Sequence, residues 1–205
     1  VDGEAGPTYD GIGAGAIILS PDGERVAYAA RRNDKWRVVV DGKEGPEHDA
    51  IGMDNLRFGP NGLCAYAARD GEVWHAIVNG QYGPPQEGIV GGSLVFDYQG
   101  RQMAYAAFCR DAFFVVLNEK GGERYDGLVG DAIRFTDDGR LCYAAQKDGA
   151  WYVVLNGQRG PACAGVGYVP GLFGGVLLGP QTSPGGGHLA YVAFSVDGKS
   201  HVVLD

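Results

Sequence analysis

Two short patterns in the 205-residue sequence carry charges of both signs at a fixed interval. Asp54 stands three positions before Arg57, and Asp131 three before Arg134. A carboxylate and a guanidinium at that spacing can form a local ion pair, or can hold a polar ligand or an anion. A second set is acidic. Asp10, Asp49, Glu87 and Asp126 recur at nearly even intervals, with Ala164 in the fifth place. Gathered together, such acids would offer hard oxygen ligands to a cation. Kept apart, each would accept backbone N–H groups in its own Gly-rich turn, and that is the role expected here. The third feature is the segment GYVPGLFGGVLLGPQ, 167–181, which occurs once. Its Tyr168, Leu172 and Phe173 could meet a partner, or fold back on the protein itself.

Catalytic signatures are weak. His48, His75, His188 and His201 are dispersed, and there is no G-x-S-x-G, H-E-x-x-H or P-loop. A glycoside hydrolase needs two facing carboxylates. Only Asp54 and Asp131 could supply them, and each has an arginine three residues on. No motif calls for a cofactor. Cys64, Cys109, Cys142 and Cys163 lack C-x-x-C spacing, and Cys64 and Cys142 lie in apolar runs. They read as small buried hydrophobes.

The elements that position these residues follow from an internal repeat. KWRVVVDGKEGPEHDAIG (35–52) returns as VWHAIVNGQYGPPQEGIV (73–90) and AWYVVLNGQRGPACAGVG (150–167), and more loosely as FFVVLNEKGGERYDGLVG (113–130). Each copy is followed by a Tyr-Ala-Ala type strand. The tyrosines are Tyr28, Tyr66, Tyr105, Tyr143 and Tyr191, at intervals of 38, 39, 38 and 48 residues. Each copy predicts four short antiparallel strands. The first ends in a turn such as SPDG, GPNG or TDDG, and the second is the Tyr-Ala-Ala strand. The third is led by Trp36, Trp74, Phe113 or Trp151, with Ser200 as the exception. The fourth is short and polar. Asn-Gly and Asp-Gly supply the positive φ that two-residue hairpins need.

A four-stranded antiparallel meander, repeated, is a propeller blade. The apolar runs AYAA and VVV suit strands buried on both faces, where small and large residues interdigitate. The sequence therefore predicts an all-β chain, a five-bladed β-propeller forming one domain over 1–205. Residues 1–12 match the turn and fourth strand of the repeat, and the chain ends on third-strand residues, HVVLD. Residues 1–12 are thus expected to close the ring as the outer strand of the last blade. In such a ring Asp54, Arg57, Asp131 and Arg134 belong to first strands at the channel mouth, and 167–181 is an insertion in one blade.

The composition fits. Thirty-six glycines and ten prolines are too many for a helical bundle, yet 45% of the residues are hydrophobic, too many for a disordered chain. The net charge of −8 argues against nucleic acid, and no apolar run is long enough for a membrane span.

The SPDG turn before an apolar, Tyr-containing strand resembles the WD-like propeller repeats of bacterial TolB-like proteins. Ser20-Pro21-Asp22-Gly23 is the best copy and Ser183-Pro184-Gly185-Gly186 a degenerate one. Such proteins usually have six blades or more. The resemblance implies a soluble, commonly extracytoplasmic binding scaffold with no shared catalytic residue. The sequence reading is a monomeric, non-catalytic module that recognises a protein or peptide on a loop face, in a periplasmic or secreted setting. A lectin-like ring that binds carbohydrate or another small ligand at the channel mouth is the alternative. A glycoside hydrolase is a remote third. The second-to-third strand loops differ between copies (RRNDK, RDGEV, CRDAF, QKDGA, SVDGK), which favours one asymmetric site over five equal ones.

Overall fold

The chain turns where Asn-Gly and Asp-Gly pairs stand. Asp41-Gly42, Asn79-Gly80 and Asn156-Gly157 all adopt positive φ, between 48° and 82°. These values come from a computed structural model, which describes residues 6–129, 132–166, 181–183 and 187–204. The looser copy has no glycine here and places Asn118 and Glu119 at φ 47° and 67°. Asparagine tolerates the left-handed region, and glutamate adopts it at a steric cost.

The chain divides into two compact units, Val1–Gly92 and Ser93–Asp205. The first holds two four-stranded antiparallel sheets, each in sequence order. One is built from β1 (Gly11–Leu19), β2 (Val26–Arg32), β3 (Lys35–Val40) and β4 (Lys43–Glu44). The other is β5 (Ala50–Phe58), β6 (Cys64–Asp70), β7 (Val73–Val78) and β8 (Gln81–Tyr82), and β9 (Gly88–Ile89) follows.

The second unit continues the pattern. In order come β10 (Val95–Phe96), β11 (Met103–Cys109), β12 (Ala112–Leu117) and β13 (Lys120–Tyr125). In the next sheet β14 (Gly127–Leu128) and β15 (Arg134–Phe135) both pair with β16 (Leu141–Lys147), which leads to β17 (Ala150–Leu155) and β18 (Gln158–Arg159). In the last, β19 (Gly165–Val166) and β20 (Gln181–Thr182) both pair with β21 (Leu189–Phe194), which also pairs with β22 (Ser200–Leu204).

The register repeats with the sequence. Tyr28 opposes Val39, Tyr66 opposes Ile77, Tyr105 opposes Val116, Tyr143 opposes Val154 and Tyr191 opposes Val203. The leading aromatic sits three places along the same ladder. Trp151 there opposes Gln146, and in the last copy Ser200 opposes Phe194. The aromatic ring missing from the third strand is thus supplied by the second. The Tyr-Ala-Ala strands are buried on both faces: Ala29, Ala67 and Ala106 are fully inaccessible, and so are Ala30 and Ala107 on the other side. In the first unit one core cluster joins Ala27, Ala29 and Val38 of one sheet to Leu56, Tyr66 and Ile77 of the other.

Proline sets the length of the outer strands. Pro46, Pro84 and Pro161 follow β4, β8 and β18, each two residues long. Proline has no N–H to donate to the ladder. Pairing resumes beyond it through single bridges, Trp36 to His48, Trp74 to Gln86 and Trp151 to Cys163. The copy without proline runs on as β13 for six residues. Just before Pro46 the chain comes so close that a Cβ on Gly45 would lie 2.9 Å from the Val38 carbonyl oxygen.

The bounds expected of the closing segment, 1–12, need correction. Residues 1–5 lie outside the described residues, 6–10 contain no strand, and Gly11 and Ile12 are the first residues of β1, opposite Arg31 and Ala30. The cause is a local clamp. The Asp10 amide donates to the Arg31 carbonyl at 2.9 Å, and its carboxylate accepts the Asn33 amide at 2.8 Å. This ties the segment to the β2–β3 hairpin.

Ala67 is fully buried and lies directly opposite Gly52, where even an added methyl would press on it, so a larger side chain here must displace its neighbours. Ala67→Leu should destabilise the protein by about 1–3 kcal/mol. Urea unfolding followed by circular dichroism would measure this, and an unchanged midpoint would contradict the packing.

Candidate functional site

The first strands carry Ile18, Arg57, Val95 and Arg134 in one column, opposite Ala27, Ala65, Ala104 and Cys142. Arg57 and Arg134, expected on first strands, therefore do lie there at equivalent places. The D-x-x-R pair of the first unit is not an ion pair, however. β5 shifts register between Gly52 and Arg57, the stretch that contains Asp54. Arg57 Nη2 donates to the Asp54 backbone carbonyl at 3.1 Å, while Arg57 Nε is buried without a partner. Burial pushes the guanidinium below its ordinary value, and the charge of Asp54 opposes that shift. Asp54 itself is exposed, and its Oδ2 would lie 3.3 Å from a Cβ on Gly91. In the second unit Arg134 is half-buried in β15. Asp131, Tyr168, Leu172 and Phe173 lie outside the described residues.

Three of the acidic set, Asp10, Asp49 and Asp126, are not caps within their own turns. Asp10, Asp49 and Asp126 each reach across to the hairpin between the second and third strands. Their carboxylates accept the amides of Asn33, Gly71 and Asp148 at 2.7–2.8 Å. Their own amides donate to the carbonyls of Arg31, Arg69 and Gln146. Ala164 keeps the backbone half of this clamp, to Phe194 O, and has no carboxylate for the other half. Among the described residues no group of three or more His, Cys, Asp or Glu is placed to hold a metal ion.

Two features were not foreseen. The first is the position before each clamp, held by Tyr9, His48 and Tyr125, which packs on the next signature tyrosine. Tyr9 meets Tyr28 edge-on at 6.1 Å, His48 meets Tyr66 at 6.0 Å, and Tyr125 meets Tyr143 at 5.9 Å. His48 is fully buried, its Nδ1 lies 2.9 Å from Asp70 Oδ2, and its Nε2 has no partner. Burial and a bond to Glu44 push the Tyr9 hydroxyl up to about 12. The sequence signal for this column was available, one place before each acid, but it is masked by changing residue type.

The second is a groove that recurs between consecutive sheets. In the first unit it is small, about 190 Å3, floored by Val38, Val40, Cys64 and Tyr66. Arg25 lies in it, donating to Gly62 O at 2.6 Å and to Asp41 at 2.8 Å, 5.3 Å from the Phe58 ring centre. In the second unit Val115, Leu117, Leu141 and Tyr143 take the same places and the groove widens to about 450 Å3. Gln102 replaces Arg25 and makes the same bond, to Gly139 O at 3.0 Å. Lys120 and the turns at Asn118 and Asn156 edge the opening. All four cysteines are free thiols. Cys64 and Cys142 are buried, and burial pushes the Cys64 thiol up to about 11.

No protein-family model matches the chain, and no curated protein matches it in sequence. Solved structures do. TolB from Acinetobacter baumannii superposes with a TM-score of 0.50 at 11% identity, covering 95% of this chain and 52% of that one. A structure described as the eukaryotic initiation factor also gives 0.50, at 13% identity, over 98% of this chain and 54% of its own. The likeness, with the repeated antiparallel sheets, defines the fold as a β-propeller. The chain spans about half the length of both structures. No helix among the described residues is long and apolar enough to cross a membrane.

Beside the wider groove, Glu123 gathers Lys147 at 2.7 Å, Arg159 at 2.5 Å and the Tyr125 hydroxyl at 3.2 Å. The bonds from Lys147 and Arg159 lower its carboxyl from 4.5 to about 2. A depressed folded-state value means that this contribution is full above about pH 4.5 and is lost as the pH falls towards 2. Glu123→Gln should therefore flatten the fall in melting temperature across that window and leave a protein less stable at neutral pH. Parallel acid melts of the two proteins would test it; identical slopes would contradict the role.

Proposed function

We propose that the chain is a non-catalytic binding module that recognises an extended peptide or protein segment in the wide groove of its second unit. The observation that supports this is the groove itself. It keeps the apolar floor of its smaller counterpart and lacks the arginine that fills the counterpart. Lys120, exposed at its edge, has no ion-pair partner among the described residues. The ligand is therefore a segment that presents a large apolar side chain beside a carboxylate. A TolB-like scaffold, half the length of A. baumannii TolB, is in keeping with binding rather than chemistry.

The same reading takes the five repeats as five blades of a single ring-shaped domain. The N-terminal sequence VDGEAGPTYD repeats the pattern of VDGKEGPEHD, 40–49. β22, which exposes 64% of Val202 and 73% of Leu204, is the strand it would cover. Deleting residues 1–5 leaves Tyr9 and Asp10 in place. It should lower the melting temperature by several degrees, and an unchanged value would rule out closure by this segment.

For the binding function, a displayed peptide library selected on the full chain should yield segments with an apolar anchor and an acidic neighbour. Gln102→Arg, which restores the blocking side chain, and Lys120→Glu should each weaken their binding about tenfold, as loss of one good contact does. Undiminished binding to both variants would overturn the assignment.

A further inference from the structure

A second opening in the second unit lies at the turns that end the first strands. The four described turns share one frame, with the fourth residue's amide bonded to the first residue's carbonyl: Gly23 to Ser20, Gly62 to Gly59, Gly100 to Asp97 and Gly139 to Thr136, at 2.9–3.0 Å. The second position of such a turn favours proline, whose fixed φ suits it. Pro21 and Pro60 stand there in the first unit. In the third copy the place is taken by Tyr98, which is 83% exposed. Among the described residues no side-chain bond to Tyr98 accounts for the exchange of a rigid turn residue for a large ring held out in solvent.

The ring borders a cleft of about 430 Å3, room enough for a sugar ring. Gln99 and Arg101 line it, exposed, and their side chains have no partner among the described residues. Gln102 uses its amide nitrogen on Gly139 O, so its amide oxygen can still accept a bond. Asp137 stands on the opposite lip. Asp97 and Asp138 are committed to their own turns. Asp97 accepts the amides of Arg101 and Gln102 at 2.7 and 3.0 Å, and Asp138 is bonded to the Thr136 hydroxyl and to Arg140 Nε.

The chemistry narrows the ligand. Three carboxylates around Arg101 disfavour an anion. Asp97 and Asp138 are bonded within their own turns and Asp137 has an interaction of its own, which leaves a cation poorly served. A neutral polyhydroxylated ring suits what remains: its C–H face can lie on the phenol, and its hydroxyls can both donate and accept at the amides and the guanidinium. From this geometry we infer that the Tyr98 cleft is a carbohydrate subsite for a single pyranose, separate from the peptide groove.

Saturation-transfer difference NMR on the full chain tests this, with the methyl pyranosides of glucose, galactose, mannose and N-acetylglucosamine as probes. At least one should receive saturation, strongest on the C–H protons of one ring face. Tyr98→Pro installs the residue that Pro21 and Pro60 already provide in two equivalent turns, so this variant should fold with an unchanged or higher melting temperature. Its affinity for the responding sugar should fall about tenfold or more, the size of effect expected for one lost aromatic contact. Absence of transfer to all four sugars, or transfer undiminished in folded Tyr98→Pro, would overturn the subsite.

Discussion

The middle strand of each repeat can hold only small residues at its buried centre, and most of the rest follows from that limit. Ala29, Ala67 and Ala106 have no exposed surface, and a methyl at Gly52 would already press on Ala67. Paired strands packed this tightly cannot place bulk at their centre, so the bulk moves to fixed flanking places: a tyrosine on one side and a leading aromatic on the next strand. Interdigitated small and large residues reach the density of a crystal, and a displaced methyl is felt at once. The exchange of Trp for Ser200 obeys the same rule, since Phe194 brings a ring to the opposite position on the ladder.

Around this packing run two polar devices that keep the sheets in register. One is the clamp in which Asp10, Asp49 and Asp126 hold a hairpin turn through both backbone and carboxylate. The other is the bond from Arg25 or Gln102 to the glycine carbonyl of the next SPDG-type turn. Each recurs with its repeat, and each is satisfied within a single unit. The two proposed surfaces lie where a repeat departs from its siblings. A shorter side chain at Gln102 widens a groove, and an aromatic at Tyr98 replaces a proline.

The repeat, its register and its turns were legible because each rests on short-range rules. Asn-Gly and Asp-Gly dictate local φ, and the Tyr-Ala-Ala pattern dictates what can be buried. What escaped depends on distance in the chain. The partner of Asp49 is an amide twenty-two positions on, which spacing alone does not disclose. The D-x-x-R motif implied a pair, but β5 shifts register in that stretch and Arg57 bonds to a carbonyl. The N-terminal residues matched the repeat, yet the match could not show that β1 begins at Gly11. The wide groove is a difference between two copies, and it becomes visible only when both are folded.

The prolines that cut β4, β8 and β18 to two residues have a further consequence for the molecule at high concentration. An unpaired strand edge invites another chain to add to it, and a residue with no N–H refuses the invitation. Three outer edges are guarded in this way by Pro46, Pro84 and Pro161. β13 has no such guard and is three times as long, but Lys120, Glu123 and Arg124 stand along it. Its solubility therefore rests on charge rather than on backbone chemistry. Neutralising those three residues would turn this one edge into a nucleus for aggregation while leaving the other three inert.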